Sequence, residues 1–238
     1  MKRYLPFIII AVVLLATIGV AVSLFRSNTA TPQSSPIDPA TPSTVAYVGA
    51  PGAEPPHVRG ASSEAAASGA AVTIEEFGDF QCPPCGLLYS DLKKLESTYG
   101  TRLRVVFREF PLATMHKNAF DAARAAEAAE QQGKFWEMHD KLYETQKMWS
   151  DATPNARPVF INFARSLGLD VEHFTRDLDG QIPNSRILLD MKRGDSLGVK
   201  GTPTIFINSR EVKPDNMTLP ALSAAIDAAL SAGNQSRK

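Results

Sequence analysis

Two cysteines occur in 238 residues, and only Pro83 and Pro84 separate them. Cys82-Pro83-Pro84-Cys85 follows a stretch of β character and opens one of helical character, the context in which a CxxC pair does redox chemistry. A helix N-terminus offers unpaired N–H groups and a partial positive charge, which stabilise a thiolate and lower the pKa of a cysteine placed there. Cys82 takes that position. One helical turn brings Cys85 within disulfide reach, and the prolines suit first helical positions, where a missing N–H is harmless. Cys85 is expected to be the more buried, resolving thiol. Structural zinc needs about four protein ligands. His57, His116, His139 and His173 are scattered without ligand spacing, so no metal is expected.

The elements that must position this pair are readable from periodicity. Val72 to Phe77 reads as a strand, Cys85 to Tyr99 as an amphipathic helix and Leu103 to Phe110 as a second strand, together a β-α-β unit. Helical segments follow at Asn118–Gln132, Phe135–Thr145, Val159–Leu167, Val171–Leu178 with Asp170 as N-cap, and Ile187–Leu197. Strand character returns at Thr204–Asn208, and Ser209 and Arg210 are placed to turn a hairpin toward Val212. Thr218 is placed to cap a last helix whose apolar face is Leu219, Leu222, Ile226 and Leu230. The alanine-rich Ala119–Ala129 and the apolar Phe135, Trp136, Met138 and Leu142 read as core, and His116 and His139 as structural hydrogen-bonding residues. The expected class is α/β.

A second signal is Gly198-Val199-Lys200-Gly201-Thr202-Pro203-Thr204, directly before a short strand. Proline at a strand entrance cannot donate to the ladder, and X-Pro bonds can be cis in tight turns, although trans is the ordinary state. With Glu76-Phe77-Gly78-Asp79-Phe80-Gln81 before the cysteines, Phe107-Arg108-Glu109-Phe110-Pro111-Leu112, and Gly133-Lys134-Phe135-Trp136-Glu137-Met138-His139-Asp140, the chain resembles the DsbA-like branch of the thioredoxin superfamily. The likeness spans roughly Val72 to Leu230. It implies a thioredoxin fold with a helical insertion at about 115–197, within a domain of 72–232. Cys82 would be the nucleophile, Cys85 the resolving thiol and Pro203 a cis-proline facing them, with Thr202 offering backbone groups to an extended substrate peptide. No dissociable cofactor is implied beyond the redox-active Cys82–Cys85 disulfide. The family often carries a buried acid where Glu76 stands. Alternation places Glu76 with Val72 and Ile74, which suggests proton transfer with Cys85, but neighbouring Glu75 is an equally good inward-facing candidate. Asp79 reads as a loop or capping residue. Pro83-Pro84 lacks the histidine of the familiar DsbA dipeptide, so a less oxidising couple is expected.

Composition bounds the setting. Apolar residues make up 44%, enough for an ordinary core, and 25 Lys plus Arg balance 25 Asp plus Glu without a long basic run, so nucleic acid is not an expected partner. The uncharged stretch Leu5–Phe25, as a helix roughly 31 Å long, matches one hydrocarbon core and reads as an anchor at 1–26. Ala21 and Ser23 are spaced like a signal cleavage site, so secretion after cleavage is the rival reading. Lys2 and Arg3 favour the N-terminus inside and the catalytic domain outside. Residues 27–71, rich in Pro, Ser, Thr, Ala and Gly, read as a disordered linker. The expected function is disulfide donation to cysteine-containing extracytoplasmic proteins by a monomer that a membrane redox partner resets. The rivals are a reductase or isomerase and a non-enzymatic peptide-binding chaperone.

Overall fold

The computed structural model describes residues 57–150 and 155–236. Strands β1 (His57–Gly60), β2 (Val72–Gly78), β3 (Leu103–Glu109), β4 (Thr204–Ile207) and β5 (Arg210–Glu211) form one sheet in the order β1-β3-β2-β4-β5. β2 and β3 are parallel and the other pairings antiparallel. The helices are α1 (Ser63–Ala67), α2 (Pro83–Tyr99), α3 (Ala119–Glu130), α4 (Phe135–Glu144), α5 (Gln146–Trp149), α6 (Arg157–Ser166), α7 (Val171–Asp177), α8 (Gln181–Leu197) and α9 (Leu219–Ser236). A parallel pair needs a crossover, and α2 supplies it.

Alternation along β2 decides what covers each face. Val72 and Ile74 pack with Leu88, Leu92 and Leu95 of α2 and with Leu222, Ile226 and Leu230 of α9. Phe77 points the other way, to Phe110, Val199 and Phe206. There α8 comes close because Gly194 has no side chain: a Cβ would stand 2.6 Å from the Phe110 ring. A third cluster joins Phe80, Cys82, Cys85, Tyr89 and Phe107 to the apolar faces of α3 through α7. The cysteines therefore lie on the seam between sheet and insertion.

Several expectations are corrected. The stretch 27–71 is not linker to its end, since His57–Gly60 pairs with β3 and α1 is capped by Ser62. The segment His57-Val58-Arg59-Gly60 lacks apolar alternation. It is held by backbone pairing and by the buried His57 side chain, whose Nε2 lies 2.6 Å from Glu127 Oε1 and whose ring stacks on Phe135. The anchor at 1–26, its 5–25 span and the remainder of the linker lie outside the described residues, among which no helix is long and apolar enough to cross a membrane. The hairpin turns at Asn208-Ser209, both at positive φ, one residue earlier than expected, and Arg210 already pairs with Ile207. Helix α8 starts at Gln181 rather than Ile187, because Pro183 in its first turn needs no N–H partner and the polar residues there carry no apolar period.

Glu127 is fully buried on α3 and also accepts from Arg186 Nε at 2.9 Å, so it ties β1 and α8 to α3. Removing one partner of such a cluster leaves uncompensated charge, and Glu127→Ala is expected to destabilise the domain by about 3–5 kcal/mol in urea unfolding. A loss below about 1 kcal/mol would show that the cluster does not hold β1 in place.

Candidate active site

Cys82 is the N-cap of α2, with extended backbone and Pro83 and Pro84 opening the helix. In the thiol form its Sγ donates to the Thr202 carbonyl at 3.3 Å, and the Thr202–Pro203 peptide is cis. Two signals far apart in sequence thus meet at one sulfur. Both cysteines are unbridged; Cys82 keeps 4% of its surface and Cys85 none.

The two thiols are electrostatically unlike. Donation from the Cys85 thiol is the largest influence on Cys82; burial opposes it, and the Thr202 side chain and the Cys85 backbone N–H add to it, bringing Cys82 down to about 6. The Thr202 hydroxyl is buried and has no other partner among the described residues, so it is free to serve a thiolate. Cys85 is pushed well up, first by burial, then by its own donation to Cys82 and the nearby charges of Glu76 and Cys82. At neutral pH the pair is a Cys82 thiolate beside a Cys85 thiol.

The ambiguity between the two glutamates is resolved by the fold. Glu76 is the inward one, 2% exposed and pushed up to about 8 by burial, against the pull of Arg59. Glu75 faces the other way; burial raises it, but hydrogen bonds from Arg193 at 2.6 Å and Arg108 at 2.8 Å outweigh that and hold it below the ordinary value.

Residues that periodicity could not single out hold the loop before α2. Asp79 is its anchor, accepting from the backbone of Gln81 at 2.7 Å and of Leu112 at 2.9 Å, with His116 Nδ1 2.7 Å away. Gln81 donates to the Ser150 carbonyl at 2.7 Å and accepts from the Asn118 N–H at 2.7 Å. Gln146, from the insertion, donates to the carbonyls of Phe80 at 2.7 Å and Cys82 at 2.9 Å. It lies against Gly86, where a Cβ would meet its Oε1 at 2.5 Å. His139, beside Asp140 at 2.9 Å, is brought down to about 4 by burial and stays neutral. Among the described residues no cluster has the composition of a metal site. This arrangement has the parts that thiol-disulfide exchange needs: an acidic nucleophile that keeps a little exposed surface, with a fully buried thiol behind it.

A family model described as thioredoxin matches residues 61–228. The chain belongs to the thioredoxin family. A thioredoxin-like oxidoreductase from Silicibacter pomeroyi DSS-3 is 29% identical, with a TM-score of 0.53 over 65% of this chain and 86% of that one. The fold is shared with the thiol-disulfide exchange protein α-DsbA2 of Wolbachia pipientis, 18% identical, with a TM-score of 0.57 over 72% of this chain and 85% of that one. In sequence the chain is 38% identical over 174 residues to a Na(+)/H(+) antiporter NhaA 1 of Salinispora arenicola, which covers 73% of this chain but only 24% of the antiporter. The chain thus spans about a quarter of the length of the curated relatives it matches.

Iodoacetamide added to the reduced protein at neutral pH is expected to label Cys82 and leave Cys85 unlabelled until unfolding, with an inflection in the Cys82 rate at about 6. Equal labelling of the two thiols would contradict the assignment.

Proposed function

We propose that this thiol-disulfide oxidoreductase donates its Cys82–Cys85 disulfide to cysteine-containing proteins outside the cytoplasm. The observation that carries the reading is the asymmetry of the pair. A stabilised Cys82 thiolate favours the reduced form and so makes the disulfide a better oxidant. A Cys82 value of about 6 lies between the roughly 7 of thioredoxin and the roughly 3.5 of DsbA. That supports an oxidising couple weaker than DsbA's, as the proline dipeptide suggests.

In the forward direction a substrate thiolate attacks Cys82 Sγ, and the Cys82–Cys85 bond breaks with its electron pair left on Cys85. A mixed disulfide then links Cys82 to the substrate. The substrate's second thiolate attacks its own sulfur in that bond, and Cys82 leaves as the stabilised thiolate. Beside the pair runs a groove of about 570 Å³, lined by Pro84, Leu87, Thr202, Pro203, Glu211 and Met217, among others. An extended peptide is placed in it, with the Thr202 backbone at its edge to pair with one. The uncharged span 5–25 and the preceding Lys2 and Arg3 support an anchored domain facing outward, with a membrane redox partner to reoxidise it.

The test is the equilibrium reduction potential in glutathione buffers, read by thiol alkylation. A value between about −120 mV and −200 mV supports donation, whereas one near thioredoxin's roughly −270 mV makes the protein a reductase. Cys85→Ser is expected to accumulate mixed disulfides with substrate proteins, and Cys82→Ser to abolish exchange. Activity surviving Cys82→Ser would favour a peptide-binding chaperone.

A further inference from the structure

In the parallel register of β2 and β3, Glu76 lies opposite Phe107 and Gly78 opposite Glu109. Residues two apart on a strand point the same way, so these four share one sheet face. Gly78 leaves a hollow in that face: a Cβ there would stand 2.5 Å from the Phe107 ring and 2.9 Å from the Tyr143 hydroxyl. The Tyr143 oxygen, carried by α4, therefore fills the space flanked by Glu76 along β2 and by Glu109 across on β3.

All three side chains are buried, Glu109 completely. Glu76 Oε1, both carboxyl oxygens of Glu109 and the Tyr143 hydroxyl have no hydrogen-bond partner among the described residues. Buried polar groups are almost always satisfied by protein or by ordered water, and an isolated buried carboxylate neutralises rather than remain charged. Glu109 is pushed well above the carboxylate range, by burial first and then by Glu127 of α3, Asp190 of α8, Asp79 of the loop and Glu76. The Tyr143 hydroxyl feels Cys85, Glu76, Asp79 and Glu109 together. Glu76 is faced by Arg59 of β1, Glu96 of α2 and Cys82.

We propose that Glu109 is a positioning residue for proton transfer at Cys85: held as the neutral acid and joined by internal water to the Tyr143 hydroxyl, it stabilises the carboxylate left when Glu76 protonates Cys85. The inference rests on the exchange activity proposed above. When substrate thiolate opens the Cys82–Cys85 bond, the electron pair left on Cys85 takes the Glu76 proton, and the negative charge passes to Glu76. Donation relayed through that water, from Glu109 to Tyr143 and from Tyr143 to Glu76, keeps that charge tolerable in a site closed to bulk solvent. On reoxidation Cys85 returns the proton to Glu76 as its sulfur rejoins Cys82. Glu109 keeps its own proton throughout.

The experiment uses the full chain carrying Glu109→Leu, Glu109→Gln or Tyr143→Phe. The readout is the pH dependence of disulfide reduction by dithiothreitol, together with the redox-difference infrared spectrum of the carboxyl groups, in which Glu76→Gln identifies the Glu76 band. Glu109→Leu and Tyr143→Phe are expected to move the Glu76 inflection upward by about one pH unit. Glu109→Gln, which keeps a neutral donor, stays with the wild type, and the Cys82 inflection moves in none of them. A Glu76 inflection unmoved by Glu109→Leu would overturn the proposal. So would Glu109→Gln shifting upward as far as the leucine variant, since a neutral donor at that place would then not be what holds Glu76, and so would a downward shift in both, since Glu109 would then act as an anion. If the leucine variant does not fold, Tyr143→Phe against Glu109→Gln decides in the same way. A wild-type protein that forms no reversible disulfide would instead contradict the exchange activity itself.

Discussion

The site depends on Cys85 keeping its proton. Donation from that thiol is the largest influence lowering Cys82, and it exists only while Cys85 stays a thiol. Burial keeps it so: Cys85 has no exposed surface, and desolvation is the first cause of its raised value. Burial in turn needs material on both sides. β2 and β3 supply the floor, and Tyr143 from the insertion completes an aromatic cluster with Phe80 of the loop and Phe107 of β3 beside it. An insertion remote from the cysteines in sequence is thus part of what makes one of them acidic.

Direction matters as much as burial. The N-terminal turn of α2 aims the Cys85 N–H at Cys82 only if the preceding loop is held, and buried amides and a carboxylate do that. Asp79 and Gln81 each bind backbone groups on two segments, and Gln146 binds the loop carbonyls of Phe80 and Cys82. Polar groups so placed must be fully satisfied to be tolerated, which makes the loop geometry specific rather than merely stable. The unpartnered Glu76, Tyr143 and Glu109 oxygens beneath it are the exception, and they stand where a proton must move.

Much of this was legible in the sequence. The cysteine spacing before a helical period predicted the helix N-terminal place of Cys82 and the deeper burial of Cys85, and strong alternation located β2 and β3 to within a residue or so. Cys82 and the Thr202-Pro203 pair came together only through the family likeness, since no local pattern links residues so distant. Alternation could not choose between Glu75 and Glu76, because the choice depends on which face α2 covers and on Arg108 and Arg193, which pair Glu75 on the other. β1 was missed because its four residues carry no period and owe their place to β3 and to Glu127. Gln146, Tyr143 and Glu109 were invisible as site residues: each is an ordinary member of its own helix or strand until tertiary packing sets it beside the pair.

The most direct test of the account is a pH titration of thiolate absorbance in the ultraviolet, comparing the reduced wild-type protein with Cys85→Ala. The account predicts a Cys82 inflection at about 6 in the wild type and a clear rise toward the ordinary thiol range once the Cys85 donor is gone. An inflection that stays near 6 in Cys85→Ala would contradict it, and would leave the helix N-terminus and Thr202 as the source of the acidity.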